Sequence, residues 1–331
     1  MVTVYDVAQA SGLSIASVSR ALNGQAGVSP ATAERITRIA DELGYQRNEV
    51  ARSLVAKSTQ TIALLVPDIT NPFFPELVKG VQSVADEHDL LLLLLDAPRD
   101  SARLTSRLAA LRRKQVDGIL LVASEIDADT EGLLAGIPGV LLDRGHAGRH
   151  ASVGVDQEAS AFAATRHLIE AGHRRIGHIA GPHGLAVSKL RRAGWERALR
   201  ESGLDAGEHL VAVGDFEEEG GHRAGAELFD RDPAITAVFA ANDLSAIGFL
   251  SFCSAHGVAV PDRVSVVGFD GIELARYTTP MLTTVAQPIR ELGAAACRLL
   301  LAQLDDPGRV DDVVLPTRLI EGASVRRRGE A

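Results

Sequence analysis

The sequence predicts an α/β chain in two parts. A head of three helices with helix-turn-helix spacing and a hinge segment comes first, then a body of two doubly wound lobes, each on a parallel sheet. Three observations carry that expectation. Two short apolar-patterned helices flank Ser11-Gly12-Leu13; Val-, Ile- and Leu-rich runs alternate with helical patterns from Thr61 onward; and that series breaks near residues 154–157 and starts again. At 331 residues, 46% of them hydrophobic, the chain can hold about two domains and a substantial core.

Taking the elements in order, Thr3 caps a first helix over Val4 to Ala10, and Asp6 is placed to reach back in a capping box. Gly12 turns the chain, and Ser14 caps a second helix, Ile15 to Leu22. Val18 and Leu22 lie four apart and pack inward, leaving Ile15, Ala16, Ser17, Ser19 and Arg20 on the outer face and amino-terminal end. A recognition helix presents those positions to base edges. A third helix opens at Ser29-Pro30 and runs to Leu43 before Gly44 stops it. Spacing alone leaves two readings open, since such a three-helix unit also serves as a plain interaction domain.

Asn48 to Lys57 is helix-compatible and free of proline and glycine. An isolated helix of about ten residues is marginal in water, so this joint is expected to fold only when something packs against it. The net charge of −9 divides unevenly: residues 1–57 hold six basic and five acidic side chains, a net of +1, so the rest carries −10. The acids sit on a body that need not approach phosphates, whereas the basic residues of the head can neutralise them.

In the body, strand-like runs begin near Thr61 (TIALLVPD), Asp89 (DLLLLLLD), Gly118 (GILLV) and Gly139 (GVLLD). A second series begins near Arg175 (RIGHIAG), His209 (HLVAVGD), Ala237 (AVFAAN) and Val264 (VSVVGFD). Between them lie amphipathic patterns such as Phe73, Phe74, Leu77, Val78, Val81 and Val84, as right-handed βαβ units require. TTVAQP and VVLPTRLI read as extra strands that could return the chain to the first lobe.

Ligands of doubly wound sheets sit beyond the carboxyl ends of the strands, and two facing lobes make a cleft there. The strand ends carry Asp68, Asp96, Ser124, Asp143, Asp215, Asn242 and Asp270. Taken singly, each of these is better explained by helix capping.

Composition excludes other classes. No apolar run reaches the length of a membrane span; the longest, Leu90 to Leu95, reads as a buried strand. The amino terminus lacks a signal-peptide pattern, so a cytoplasmic location is expected. Cys253 and Cys297 read as packing residues, and His167, His173, His178 and His183 as surface or loop residues. With no phosphate-binding glycine loop, nucleophile elbow or metal-ligand spacing, neither an enzyme nor a cofactor or metal is expected. A solute receptor of the periplasmic type shares the two-lobed architecture but calls for a secretion signal and no head.

YDVAQASGLSIASVSRALN, followed by VSPATAERI, LGYQRN, ARSLVAKST, VPDITNPFF, VDGILL, VSVVGFD and LTTVAQP, resembles the LacI/GalR family of bacterial transcription regulators along essentially the whole chain. The resemblance implies a sequence-specific DNA-binding repressor with periplasmic-binding-protein-like lobes, controlled by a small effector, with a carbohydrate or related metabolite expected. It implies residues 1–47 as the DNA-binding head and 48–60 as hinge helix and linker. The body, 61–331, divides into a first lobe of about 61–155 plus 288–316 and a second of about 156–287 plus 317–327. The other reading within the family is a global regulator or activator answering to a protein co-effector.

On the head, Ile15 and Ala16 would offer apolar surface to a thymine methyl, and Arg20 could reach guanine. Ser14, Ser17, Ser19, Asn23, Ser29 and Asn48 would position phosphates, and the DNA-facing set also takes in Thr3, Tyr45 and Ala51. Leu54 matches the leucine that wedges into the minor groove when the hinge orders on operator DNA. In the body, Phe73, Phe74, Arg191, Phe216 and Asp270 match effector-contacting positions, with Ser124, Asp143, Asn242 and Gln287 extending the set. Arg191 supplies a fork of donors and Asp270 a pair of acceptors, suited to adjacent hydroxyls or a base edge. Phe73 and Phe216 supply flat faces for a ring, or else ordinary core. Leu185, Ala186 and Val187 stand where sugar- and purine-responsive relatives carry polar residues, so the likeness names no ligand. A homodimer on a roughly palindromic operator is expected, since the tail Ala323 to Ala331 has no leucine heptads.

Overall fold

The computed structural model describes residues 2–22, 24, 26–45, 58–97, 101–122, 128–142, 150–306 and 308–328. The chain forms two compact units, Met1–Thr59 and Gln60–Ala331.

The first unit holds α1 (Val4–Ser11), α2 (Ile15–Leu22) and α3 (Pro30–Glu42). The Thr3 amide and hydroxyl both donate to the Asp6 carboxylate at 2.7 Å, which fixes the start of α1 and holds the Asp6 carboxyl below its usual range. Gly12, at φ +69°, makes the turn that a residue with a Cβ enters only at a cost. The Ser17 amide then donates to Ser14 Oγ at 3.1 Å, and the Thr32 amide to Ser29 Oγ at 3.3 Å, so both serines cap. Val7, Ala8, Val18, Leu22, Ile36 and Ala40 make the core. The Arg35 guanidinium donates to the Ser11 carbonyl and ties α3 to the end of α1. Asn23, Asn48, Ala51 and Leu54 lie outside the described residues.

The second unit has twelve described strands: β1 (Thr61–Val66), β2 (Leu91–Asp96), β3 (Gly118–Val122), β4 (Gly139–Leu142), β5 (Ala151–Val155), β6 (Ile176–Ala180), β7 (Val211–Val213), β8 (Ala237–Ala240), β9 (Ser265–Asp270), β10 (Thr283–Ala286), β11 (Asp312–Leu315) and β12 (Arg318–Ile320). They form two six-stranded sheets, β11-β5-β4-β3-β1-β2 and β12-β10-β9-β8-β6-β7, parallel except for the β10–β12 pair. The chain crosses between sheets after β5, after β10 and after β11. In each sheet the order reverses at one place, between β1 and β3 or between β6 and β8. A doubly wound sheet opens a crevice at that switch point.

The helices are α4 (Phe73–Glu87), α5 (Ser101–Lys114), α6 (Ala128–Leu134), α7 (Gln157–Glu170), α8 (Ala186–Glu201), α9 (Glu218–Arg231), α10 (Asp243–Ala255) and α11 (Ile289–Asp305). Helices α4 and α11 touch backbone to backbone: a Cβ on Gly293 would lie 2.2 Å from the Leu77 carbonyl oxygen. Leu244 and Ile272, just past β8 and β9, join the core cluster that contains Phe73 and Ile289. The carboxyl edges of the two lobes therefore meet at that cluster.

Several local expectations need correction. The leucine run is an edge strand, with Leu91 60% and Leu94 45% exposed, because β2 ends the sheet. His178 is fully buried between Trp195 and Phe239, at ring distances of 5.5 and 5.1 Å, and His173 is buried with Nδ1 3.1 Å from Thr236 Oγ1. Desolvation pushes both imidazoles down to about 4. Of the late strands only β11 returns to the first sheet; β10 and β12 stay in the second. The run ASVGV, not read as a strand from the sequence, forms β5, whose five residues are all buried.

Candidate functional site

On the first unit, Ser14, Ile15, Ala16 and Arg20 are exposed on α2 and its cap, with Ser17 and Ser19 half-buried beside them. The Ser14 and Ser17 hydroxyls share a hydrogen bond of 2.9 Å, and Ser29 Oγ lies 2.8 Å from Thr32 Oγ1. The Arg20 guanidinium leans on the following turn, where a Cβ on Gly27 would come within 3.2 Å of Nη1. Thr3 is exposed at the start of α1, and Tyr45 is half-buried against the head core. The face so assembled is polar at its edge and apolar at Ile15 and Ala16.

On the second unit, the carboxyl edge of the second sheet gathers a buried polar cluster. Asp270 ends β9 and Arg191 lies on α8; Arg191 Nη1 stands 3.2 Å from Asp270 Oδ1, and the two residues are 3% and 5% exposed. Arg191 Nε donates to Gln157 Oε1 at 2.8 Å and Nη1 to the Ala241 carbonyl at 2.6 Å. The guanidinium lies 3.9 Å from the Phe269 ring centroid and 5.7 Å from that of Phe216. Gln287 Nε2 donates to Asp270 Oδ1 at 2.9 Å.

Asp270 adopts φ +107°, a left-handed backbone that costs a residue with a Cβ about 1–3 kcal/mol and persists only when its surroundings enforce it. Asp243 does the enforcing. Its Oδ2 accepts the Gly271 and Ile272 amides at 2.8 and 2.9 Å, and its Oδ1 accepts the Thr284 hydroxyl at 2.6 Å. Burial, then the nearby Asp270 charge, push the Asp243 carboxyl well above its usual range. Burial raises Asp270 too, but Arg191 and Gln287 donate to it and work the other way. The pair sets a fork of donors beside a carboxyl, a setting for a ligand that both donates and accepts hydrogen bonds.

The other candidates are placed as follows. Phe216 is half-buried over Gly181, which follows β6. Asn242 caps α10 through the Ser245 amide at 3.0 Å and pins the Phe216 carbonyl at 2.9 Å. Phe73 is buried in the core, edge-on to half-buried Phe74 at 5.2 Å. Ser124 and Asp143 lie outside the described residues. Asp68 accepts the Thr70 amide and hydroxyl in a local turn, and Asp215 pairs with Arg223. Sequence reasoning missed Gln157 and Asp243. The signal for Asp243 was its place beside Asn242 after an apolar strand; Gln157 follows a strand that went unread. A groove of about 520 Å³ along β7, lined by His183, Arg192, Glu208 and Arg231, lies at the outer edge of the second sheet, away from this cluster.

Residues 3–48 match the model for bacterial regulatory proteins of the lacI family, and residues 165–325 match the periplasmic binding protein-like domain. Over 306 residues the chain is 37% identical to the HTH-type transcriptional regulator GalS of Salmonella typhimurium, covering 91% of this chain and 89% of that one. The chain belongs to the LacI family.

A second relative, the ribose operon repressor of Halalkalibacterium halodurans, is 36% identical over 321 residues, covering 97% of this chain and 96% of that one. Among solved structures, the lac repressor dimer bound to operator and the anti-inducer ONPF superposes with a TM-score of 0.90 at 26% identity, covering 98% and 99% of the two chains. The complex of the transcriptional regulator CelR with cellobiose gives 0.76 at 33%, covering 98% and 100%. The chain is thus a transcriptional regulator with a helix-turn-helix DNA-binding head, not an enzyme. Among the described residues, no helix is long and apolar enough to cross a membrane.

Proposed function

We propose that this chain represses transcription by binding a pseudo-palindromic operator as a homodimer, and that a small polyhydroxylated effector held between the lobes controls that binding. The observation that carries the reading is the Arg191–Asp270 pair, buried at the carboxyl edge of the second sheet with donors and acceptors set for adjacent hydroxyls. The names of the relatives support it: a ribose operon repressor, and a regulator complexed with cellobiose.

The head reads bases with Ile15, Ala16 and Arg20 and phosphates with the serines around them. Leu54 is the minor-groove wedge. The exposed leucines of β2 supply the dimer face, since an open apolar edge strand invites pairing with a second copy. The lobes, residues 61–155 with 288–316 and residues 156–287 with 317–327, move as bodies about the three crossings. An effector shifts the operator equilibrium only if it binds one setting of the lobes better than the other. Gln157 and Gln287 stand on two of the crossings and bond to the Arg191–Asp270 pair, so a ligand that engages the pair changes the forces on both. The effector acts as an inducer, releasing the protein from DNA.

Selection from random duplexes with the full chain tests the DNA half of this reading. The expected result is an enriched pseudo-palindrome; a pool that stays random contradicts it.

A further inference from the structure

Two side-chain oxygens beside the Arg191–Asp270 pair, Ser188 Oγ and Gln287 Oε1, are buried and have no hydrogen-bond partner among the described residues. Both residues are 6% exposed. A buried polar atom left unpaired is costly, and folded proteins keep few of them. His178 Nε2 and Trp195 Nε1 share the condition, but they belong to the aromatic stack of the lobe core.

Ser188 stands three residues before Arg191 on α8, on the same helix face. A Cβ on Gly181 would lie 2.5 Å from Ser188 Oγ and 2.2 Å from the Phe216 ring, so hydroxyl and ring are neighbours just past β6, where the sheet order reverses. The cap residue Leu185 gives the first-turn amides of α8 no side-chain acceptor. Hydroxyl, ring, guanidinium and carboxylate form one continuous strip.

The strip also selects a chemistry. Gln287 Oε1 accepts only, so the ligand must donate there; a hydroxyl at Ser188 donates or accepts as required. A phosphate offers acceptors alone and would face that oxygen, while Arg191 Nε and Nη1 are already engaged. We infer that Ser188 is a ligand-reading residue, whose hydroxyl takes a hydroxyl group of an unphosphorylated polyol next to the one held by Arg191 and Asp270. The inference rests on the effector reading given above.

Calorimetric titration of the full chain and of Ser188→Ala tests it, with D-ribose, D-cellobiose, common aldohexoses, ribonucleosides and the corresponding sugar phosphates as probes. Melting temperature without ligand is measured alongside. The expected result is that an unphosphorylated sugar or nucleoside binds the wild-type chain at least tenfold tighter than its phosphate. Ser188→Ala then loses about tenfold in affinity, the equivalent of one neutral hydrogen bond, with a melting temperature equal to or above wild type. Affinity within twofold of wild type, a lower melting temperature, or a preference for the phosphate overturns the inference alone. A wild-type chain that binds nothing in the panel overturns the effector reading itself, and the inference with it.

Discussion

Gln157 and Gln287 grip opposite members of one buried ion pair. Gln157 accepts from Arg191 Nε at 2.8 Å, and Gln287 donates to Asp270 Oδ1 at 2.9 Å, each from a segment where the chain crosses between sheets. Replacing either with leucine cuts the link while leaving the pair in place. Gln157→Leu is expected to keep effector affinity within a few-fold of wild type, whereas Gln287→Leu, which also removes a ligand-facing oxygen, weakens it; both are expected to lower the ratio of operator affinities without and with saturating effector by about fivefold or more. Anisotropy titrations read both quantities, and an unchanged ratio counts against coupling through these residues.

The ion pair itself gives a stability test. Asp270→Ala strands the Arg191 guanidinium in a buried site, at a cost of about 3–5 kcal/mol, and Arg191→Met strands the carboxylate. The double variant Arg191→Met/Asp270→Leu removes both charges and is expected to recover much of that loss. Urea unfolding of the three variants checks it; losses that simply add mean the two residues are not coupled.

Acid is expected to unfold the second lobe through its buried histidines. His178 titrates at about 4 in the folded chain against about 6.5 unfolded, so between those values the unfolded state binds more protons. The contribution is fully present above pH 6.5 and is lost as pH falls through 4, about 3 kcal/mol for His178, with His173 acting in the same direction. His178→Gln should flatten the stability profile over that window by close to one proton; an unaltered slope counts against a neutral buried imidazole.

On the head, Arg20→Ala is expected to relax discrimination at one operator position by about 1–3 kcal/mol. Binding measured on operators varied one base pair at a time checks this. A uniform loss across all of them makes Arg20 a phosphate contact.

The head was legible in the sequence because its signals are local: Thr3 with Asp6, Ser14, Ser29 and the Gly12 turn each act within a few residues. The parallel sheets were legible through their apolar runs. What the runs could not give was position within the sheet, which depends on partners distant in sequence; hence the leucines of β2 read as buried although they form an edge. His178 looked like a surface residue because the Trp195 and Phe239 rings that enclose it come from other elements. In the cleft, Arg191 and Asp270 were legible through the family motifs. Gln157 and Asp243 were not, since their roles depend on where the crossings and the β9 turn fall in space.

In the proposed function, ligand capture at the Arg191–Asp270 pair sets operator affinity. The most direct measurement is an anisotropy titration of the full chain on its selected operator, with and without a saturating ligand that the body binds, repeated with Asp270→Asn. The ligand is expected to weaken wild-type operator binding at least tenfold and to leave the variant unmoved. Equal operator affinity with and without the bound ligand in the wild-type chain would contradict it.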